Sequence, residues 1–287
     1  MSTVLETGYE IIEQPDFKAV IYIDIPNKRL KVTSFNATDY NKLIDSLLLT
    51  AEKSGLSKIW LVCSTSEWIN FLSRGFVMEG AAEGYLNGQT GYFMSYFVTG
   101  NRRFSKTYRE EQKTLSEVLK IIPETNFSTI LPKGYSLRKA GNHDVTALSS
   151  LFARVFETYP VPVTKPEYLL NAINTKSIFY LVEHRGEIIS AASADMDQKL
   201  CNAEITDCAT LSDYRGQGLM YNLINALESD LLSRSIYCLY SLAIAKSPGI
   251  GKVFRKLGYQ YRGRLINNCN ICANFEDMNL WVKYMPL

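Results

Sequence analysis

The stretch DCATLSDYRGQGLM, residues 207–220, decides the fold that the sequence predicts. It leaves an apolar strand, passes through a polar turn and brings Arg215, Gly216, Gln217 and Gly218 to the start of an amphipathic helix. The two glycines allow turns that other residues resist and a close approach of the backbone to a ligand. The first N–H groups of a helix have no partner within it and lie at the positive end of its dipole. The stretch therefore predicts an anion site that suits a pyrophosphate.

The spacing of these residues excludes two common kinds of pyrophosphate site. A Walker loop needs a glycine five residues before Gly-Lys and a Ser or Thr after it, but Lys246 and Val253 hold those places around Gly251-Lys252. A dinucleotide fingerprint needs a third glycine, at the position that Tyr221 occupies. Coenzyme A remains as the pyrophosphate that the loop would bind.

The loop resembles the acetyl-CoA loop of the GNAT acetyltransferases, whose pattern is Q/R-x-x-G-x-G/A. Arg215 and Gly218 match this pattern, and Met220 departs from its last small position. An ordinary strand-to-helix turn is the alternative interpretation. The resemblance implies acetyl-CoA as co-substrate, with contacts from Ala209, Thr210, Leu211, Arg215, Gly216, Gln217, Gly218, Leu219 and Met220, and from Ser247 and Phe254 further on.

Length, composition and charge set the broad class of the protein. The 287 residues suggest two domains, and 46% hydrophobic residues suffice for buried cores. A net charge of +2 gives no footprint for nucleic acid or for an acidic membrane. The first residues lack the pattern of a secretory leader, and no apolar run approaches 18 residues. We therefore expect a cytoplasmic protein without nucleic-acid or membrane partners.

The cysteines do not indicate a metal site. Most of the six lie in strand-like surroundings, where they behave as small buried apolar residues of a reducing compartment. Only Cys269 and Cys272 form a CxxC pair, with no second pair and no histidine nearby. We expect no metal.

The C-terminal part reads as an alternation of strands and helices. Strands are predicted at residues 135–139, 178–183, 188–194, 203–211, 236–243, 259–266 and 278–284, and helices at residues 142–156, 166–174, behind the loop, and from Ser247 to Gly258. This order is the GNAT order, with the loop after the fourth strand. It implies an α/β (α+β) fold with a mixed central sheet flanked by helices, and a catalytic domain over residues 133–287.

The N-terminal part repeats the end of this pattern. A strand at residues 58–63, a helix from Ser66 to residue 74 and an Asn87-Gly88 hairpin turn are predicted. Gly75-Phe76 matches Gly258-Tyr259, and Gly80 matches Gly263, at one common offset. No RGxG loop precedes residues 39–53. Residues 1–132 are therefore expected to form a degenerate, non-catalytic GNAT-like domain, joined through the charged residues 102–113 and residues 123–132.

Acetyl transfer to an amine needs a base, because the amine is protonated at pH 7. Deprotonating an ammonium group with a pKa near 10.4 costs about 4 to 5 kcal/mol at that pH. Glu204 lies on the strand before the loop, where histone-acetyltransferase relatives keep a catalytic glutamate, and Asp207 follows three residues on. Strand alternation would place them on opposite faces, but a bulge, common on this strand in the family, would bring both into the cleft. Glu204 is the first candidate base and Asp207 the second. Two solvated edge-strand carboxylates are the alternative.

The usual general acid of the family is missing. Relatives carry a tyrosine in N-x-x-A-x-x-x-Y-x-K-x-G-F, where this chain has Ser247 for the Asn and Phe254 for the Tyr. Phe254 most simply packs in the core. We assign no acid.

Further motifs resemble the β-lysine N-acetyltransferases, above all LINNC at residues 265–269 and FEDMN at residues 275–279. The resemblance implies that the acceptor is the side-chain amine of β-lysine and that the product is a compatible solute. Asparagine amides suit a carboxylate and a β-amine, and carboxylates suit ammonium groups. The candidate substrate-binding residues are Glu157, Tyr159, Asn267, Asn268, Asn270 and Asp277. The alternative is that Asn267 and Asn268 are turn residues and that Asp277 is a strand cap.

Other functions stay open at this point. Lysine, a polyamine or a peptide N-terminus could be the acceptor. An acyl-CoA-binding sensor with decayed catalysis is a second class, suggested by Met220, Ser247 and Phe254, although Glu204 favours the enzyme. A homodimer is possible from the sequence.

Overall fold

The computed structural model describes residues 7–123, 131–157, 159, 161–271 and 274–286. Within these residues the chain forms 13 β-strands and seven α-helices. The strands β1 to β13 are Gly8–Gln14, Phe17–Asp24, Arg29–Ala37, Lys58–Cys63, Val77–Leu86, Gln89–Phe97, Tyr135–Lys139, Ser177–His184, Glu187–Asp197, Asn202–Thr210, Cys238–Ile244, Gln260–Ile271 and Asn274–Tyr284. The helices α1 to α7 are Tyr40–Lys53, Trp68–Leu72, Tyr108–Leu119, Val145–Val155, Pro166–Thr175, Leu219–Ser233 and Pro248–Lys256.

All 13 strands join one sheet in the order β1-β2-β3-β4-β6-β5-β12-β13-β11-β10-β9-β8-β7. The first six positions repeat the next six in reverse, so the two halves of the sheet are related by an approximate twofold. The parallel pair β3·β4 corresponds to the parallel pair β10·β11. The structure thus has the mixed α/β fold that the sequence predicts. Over the described residues, its N-terminal part repeats the strand order of the C-terminal part without a counterpart of β7, α4 or α5.

Two glycines lie at the centre of this symmetry. Gly80 of β5 pairs with Gly263 of β12, and these are the residues that the sequence matches between the halves. A Cβ on Gly263, which has φ +150°, would lie 2.1 Å from the Glu79 carbonyl oxygen. A Cβ on Gly80 would lie 2.9 Å from the Arg262 carbonyl oxygen. The two strands therefore approach so closely that neither position has room for a side chain.

A buried ion pair holds the same junction. Lys58 Nζ lies 2.7 Å from Glu79 Oε2 and donates to the Ile266 carbonyl oxygen at 2.8 Å. The Ile266 N–H donates to the other oxygen of Glu79 at 2.6 Å. Charged side chains are buried only when they are paired in this way, so the network ties the N-terminal half to β12.

Three apolar clusters divide the core. One lies between α1, α2 and the first strands, and a second packs α4 to α7 against the C-terminal part of the sheet. The third joins the two halves on the sheet face opposite α1, and its members include Trp60, Phe93, Tyr240, Leu265 and Leu280. The Tyr240 hydroxyl of this third cluster lies 3.4 Å from Glu204, one of the candidate bases.

Most predicted C-terminal elements are confirmed within three residues at their ends, with larger extensions of β12 and β13. The helix expected from residue 142 begins as a 3₁₀ turn, Asn142–Asp144, because Gly141 rather than Asn142 precedes the first turn. In the N-terminal part α2 begins after Glu67 instead of Ser66. The charged residues 102–113 include the start of α3, whose C-terminal end packs against α7, with Arg255 donating to the Ile121 carbonyl oxygen.

The strands β1 to β3 are absent from the sequence prediction, although β2 alternates buried and less buried residues. Residues 124–130 of the predicted connection lie outside the described residues. None of the helices described is both long and apolar enough to cross a membrane.

Candidate active site

The strand β10 carries a bulge at the two candidate bases. Thr206 pairs with Ser193 and Ala209 with Ala191, so β10 uses one residue more than β9 over this interval. Asp207 takes up the extra length with a left-handed φ of +48°. The predicted bulge is therefore confirmed, and Asp207 bonds to Ser193, whose strand partner Thr206 shares the sheet face of Glu204.

Asp207 is a buried carboxyl with an unused oxygen. Its Oδ2 accepts a hydrogen bond from Ser193 Oγ at 2.7 Å, and its Oδ1 has no hydrogen-bond partner among the described residues. Burial raises the pKa of Asp207 to about 7, an effect that the Ser193 hydroxyl opposes. The phenol of Tyr159, from the segment between α4 and α5, lies at Thr206 and Asp207. Asp207 therefore has the pKa of a base that works near neutral pH.

Glu204 occupies a less enclosed position on the same face. Its Oε2 lies 3.4 Å from the Tyr240 hydroxyl of β11. Burial raises its pKa, and the positive charge of Lys31, from the N-terminal half, is the strongest influence in the other direction. Asp195 of β9, Glu204's strand partner, is already engaged by Lys176 and by the Ser177 hydroxyl.

An opening forms where β10 and β11 separate. The parallel ladder between them covers only Asn202 to Glu204 on β10, although β10 continues to Thr210 and β11 to Ile244. The bulge lies in the unpaired part of β10. An extended ligand between the strands would therefore pass directly beside Asp207.

The glycine loop lies at the wide end of this opening. Gly216 has φ +79° and Gly218 has φ +76°, and Gly218 is the N-cap of the 15-residue helix α6. A Cβ on Gly216 would meet nothing within 4 Å. The left-handed glycines and the helix N-terminus expose backbone N–H groups to an anion, as a pyrophosphate requires.

The other predicted cofactor residues line this region in different ways. The Thr210 and Ser190 hydroxyl oxygens are hydrogen-bonded at 2.7 Å, and Arg215 Nε donates to the Thr210 carbonyl oxygen at 3.1 Å. Residues 215–218 are exposed. The remaining members are more enclosed: Ala209, Leu211 and Leu219 are buried, and Met220 packs against the core. The arrangement fits coenzyme A, because exposed polar loop atoms adjoin an apolar wall.

Two predicted cofactor residues lie on or before α7. Ser247 is exposed at the N-cap of this helix, beside Pro248 at its first position, as the sequence predicts. Phe254 is completely buried against Tyr259 and Trp281. It has the core position that the sequence favours and no exposed atom with which to contact a cofactor.

The predicted asparagines lie where β12 meets the N-terminal half. Asn267 Nδ2 donates to the Arg102 carbonyl oxygen at 2.9 Å, and Asn270 Nδ2 donates to the Pro26 carbonyl oxygen at 3.0 Å. Asp277 is buried and accepts from the Asn267 backbone N–H at 2.7 Å. The two amide contacts join the halves, and the Asp277 contact lies within the C-terminal half. None of the three favours a role in substrate binding.

The last predicted substrate residues separate into two groups. Asn268 is fully buried, with its Oδ1 unpaired among the described residues and its carbonyl oxygen bonded to Arg29. Tyr159 stacks on Phe156 at 4.3 Å and reaches Asp207, whereas Glu157 is exposed beside it. Among the predicted substrate residues, Tyr159 lies at a candidate base.

The side chains that the N-terminal half brings to this face were not predicted from the sequence. Lys31 lies over the Trp60 ring, Trp60 stacks on Phe93, and Phe93 contacts Tyr240, whose hydroxyl lies at Glu204. This row crosses the junction of the halves without a break. No local pattern signals Lys31, because its strand was not predicted.

The cysteines in the described ranges form no disulfide bond. Cys63, Cys201, Cys208, Cys238 and Cys269 are free thiols, and Cys272 lies outside the described residues. Over the part of the chain that is described, no three histidine, cysteine or acidic side chains group as metal ligands.

Comparison with known proteins gives consistent matches. The model of the acetyltransferase (GNAT) family matches residues 145–259. The N-acetyltransferase YodP of Bacillus subtilis is 35% identical over 96% of this chain and 98% of its own. A beta-lysine N(6)-acetyltransferase of Methanococcus maripaludis is 32% identical over 99% of both chains. Another of that name, from Methanosarcina mazei, is 36% identical over 74% of this chain and 85% of its own. The bulged strand and the glycine loop agree with these matches, which show that the chain belongs to the GNAT acetyltransferase family.

Proposed function

We propose that the protein transfers the acetyl group of acetyl-CoA to the side-chain amine of β-lysine, giving N6-acetyl-β-lysine. The observation that carries the proposal is the full-length similarity to a relative named for this reaction. The LINNC and FEDMN motifs support the same acceptor through their resemblance to the β-lysine N-acetyltransferases, not through contacts of their own with the candidate bases. Accumulation of the product as a compatible solute, and a cytoplasmic location, belong to the proposal.

Asp207 serves as the general base in this proposal, ahead of Glu204. It adjoins the opening between β10 and β11, has an unpaired oxygen, and has a pKa of about 7. A base with such a pKa is unprotonated in part at neutral pH and still accepts a proton readily. Glu204, half-buried on the same face, attracts the ammonium groups of the acceptor.

Acetyl-CoA, when bound, supplies the activated thioester. The backbone of Gly216 to Gly218 and the N-terminus of α6 hold its pyrophosphate, because they present N–H groups to an anion. The unpaired part of β10 orients the rest of the molecule toward the bulge. The phenol of Tyr159, which lies at Asp207, helps to position that carboxyl.

The division of labour between the halves is also part of the proposal. Residues 133–287 hold acetyl-CoA and the base, while residues 1–132 have no glycine loop between β3 and α1, where Asp39 caps the helix directly. A homodimer remains a proposal.

A thiol-release assay with acetyl-CoA tests the acceptor. We expect kcat/KM for β-lysine to exceed that for cadaverine by about 10² or more, because cadaverine leaves the groups made for a carboxylate unpaired. Lysine, spermidine and a peptide complete the panel. Equal turnover of β-lysine and cadaverine would remove β-lysine as the acceptor. Coenzyme A binding without turnover of any amine would instead favour the acyl-CoA sensor.

A further inference from the structure

Lys31 is a cation of the N-terminal half that faces the active site of the C-terminal half. It lies on β3, paired with Tyr22 of β2 and with Trp60 of β4. Its neighbours Leu30 and Val32 are buried in the cluster beneath α1, so alternation turns Lys31 to the opposite face of the sheet. Its Nζ lies 4.9 Å from the centre of the Trp60 ring. This is the face that carries Glu204.

The neighbouring cations are neutralised by the chain itself. Arg29 pairs with Asp24 at 2.7 Å, and Lys58 pairs with Glu79 at 2.7 Å. Lys31, in contrast, forms no ion pair with any residue in the described ranges, and its contact with Trp60 is a cation–π contact. A half-buried ammonium without a carboxylate in direct contact gains more from an anionic ligand than a cation that the chain already pairs.

The electrostatics of the cleft agree with this geometry. Burial lowers the pKa of Lys31, and the carboxylate of Glu204 opposes this effect more than any other group. The two side chains lie on the same face of the sheet, linked by the row Trp60, Phe93 and Tyr240, and they form no ion pair with each other. A ligand between them would meet a positive wall on β3 and a negative wall on β10.

The proposed acceptor has the matching arrangement of charge. β-Lysine carries a carboxylate at one end, the amine to be acetylated at the other and a second amine between them. Its reacting amine must lie at Asp207, beside the opening between β10 and β11. The carboxylate then extends away from β10, toward the N-terminal half.

We propose that Lys31 binds the carboxylate of the acceptor, which makes the N-terminal half part of the substrate pocket. Trp60, fixed between Lys31 and Phe93, holds the ammonium in place. The inference rests on the proposed function, since it identifies the group that distinguishes an amino acid acceptor from a simple diamine.

The test compares acceptors that differ only in the carboxylate. 1,4-Diaminopentane is β-lysine without its carboxylate, and cadaverine is lysine without its carboxylate. Lys31→Met should lower kcat/KM for β-lysine by at least about tenfold, mainly through KM, and should change that for 1,4-diaminopentane by less than about threefold. Lys31→Arg should restore part of the loss, because it restores the charge.

A matched control is available on the neighbouring strand. Lys18 of β2 is exposed and pairs with Glu13, so Lys18→Met should leave kcat/KM for both substrates unchanged. The thermal unfolding midpoint of each variant verifies that it is folded.

The other outcomes are distinct. If Lys31→Met lowers kcat/KM equally for β-lysine and 1,4-diaminopentane, or lowers it for neither, Lys31 does not bind the carboxylate. The proposed function would then remain intact. If the wild-type protein acetylates lysine but not β-lysine, the proposed acceptor fails, and the lysine–cadaverine pair then decides the role of Lys31 by the same criterion. If neither amino acid is acetylated, both proposals fail.

Discussion

Asp207 acquires its properties from a single backbone irregularity. In a regular strand its side chain would point away from Glu204, but the left-handed φ of +48° turns it toward Ser193 on the same face. Burial there raises the pKa of the carboxyl to about 7. A strained residue of this kind is found mostly where function requires it.

If Asp207 is the base, the rate of acetyl transfer should depend on pH. The carboxylate is the active form, so protonation of Asp207 should reduce wild-type kcat/KM as the pH falls through about 7. Asp207→Asn should lower kcat by about 10² to 10⁴, with little change in the KM for acetyl-CoA. The deficit should shrink at high pH, because free amine accumulates toward the acceptor pKa near 10.4. A pH series of initial rates measures each of these effects.

Glu204→Gln is the matched variant for the pH series. It removes a charge from the same face and leaves the bulge in place, so we expect a smaller fall in kcat and an unchanged acid limb. If Glu204→Gln shows the pH signature and Asp207→Asn does not, the base is Glu204, as the sequence suggested first.

At the scale of elements, the best predictions came from local signals. The strand β10, the glycine loop and α6 follow from an apolar run, two glycines and a helical stripe, all contiguous in the chain. The turn at Asn87 and Gly88, with φ values of +49° and +89°, was predictable for the same reason. By contrast β1 is exposed over most of its length, so its sequence has no clear apolar alternation.

The glycine loop makes a prediction about cofactor affinity. Gly218→Glu places a side chain and a negative charge at the N-terminus of α6, where the pyrophosphate should lie. Coenzyme A affinity, measured by calorimetry, should fall at least about tenfold, or about 1.4 kcal/mol. An unchanged affinity in a folded variant would show that the loop does not bind the pyrophosphate.

Gly186 provides the control for backbone strain. Its φ of +78° is close to that of Gly218, and a Cβ there would meet nothing within 4 Å. It lies in the turn between β8 and β9, so Gly186→Glu imposes the same strain away from the loop. Coenzyme A affinity should be preserved in this variant.

At the scale of the whole molecule, the site depends on contacts that no local pattern encodes. Glu204 is recognisable from its strand, but Lys31 reaches the same cleft only because the two halves form one sheet. The asparagines of LINNC show the converse. Their residue types suit a ligand, yet Asn267 and Asn270 bond to backbone groups of the N-terminal half. Residue type alone does not distinguish a substrate contact from a junction between halves.

The junction of the halves gives the last prediction, which concerns stability. Gly263→Ala would place a Cβ 2.1 Å from the Glu79 carbonyl oxygen at a φ of +150°, so β5 and β12 must move apart. We expect the free energy of unfolding in urea to fall by at least about 2 kcal/mol. Gly100→Ala, with nothing within 4 Å, should change it by less than about 0.5 kcal/mol. Equal stability of the two variants would contradict the close approach of the strands. Because Lys31 reaches the cleft through this junction, Gly263→Ala should also raise the KM for β-lysine more than that for acetyl-CoA.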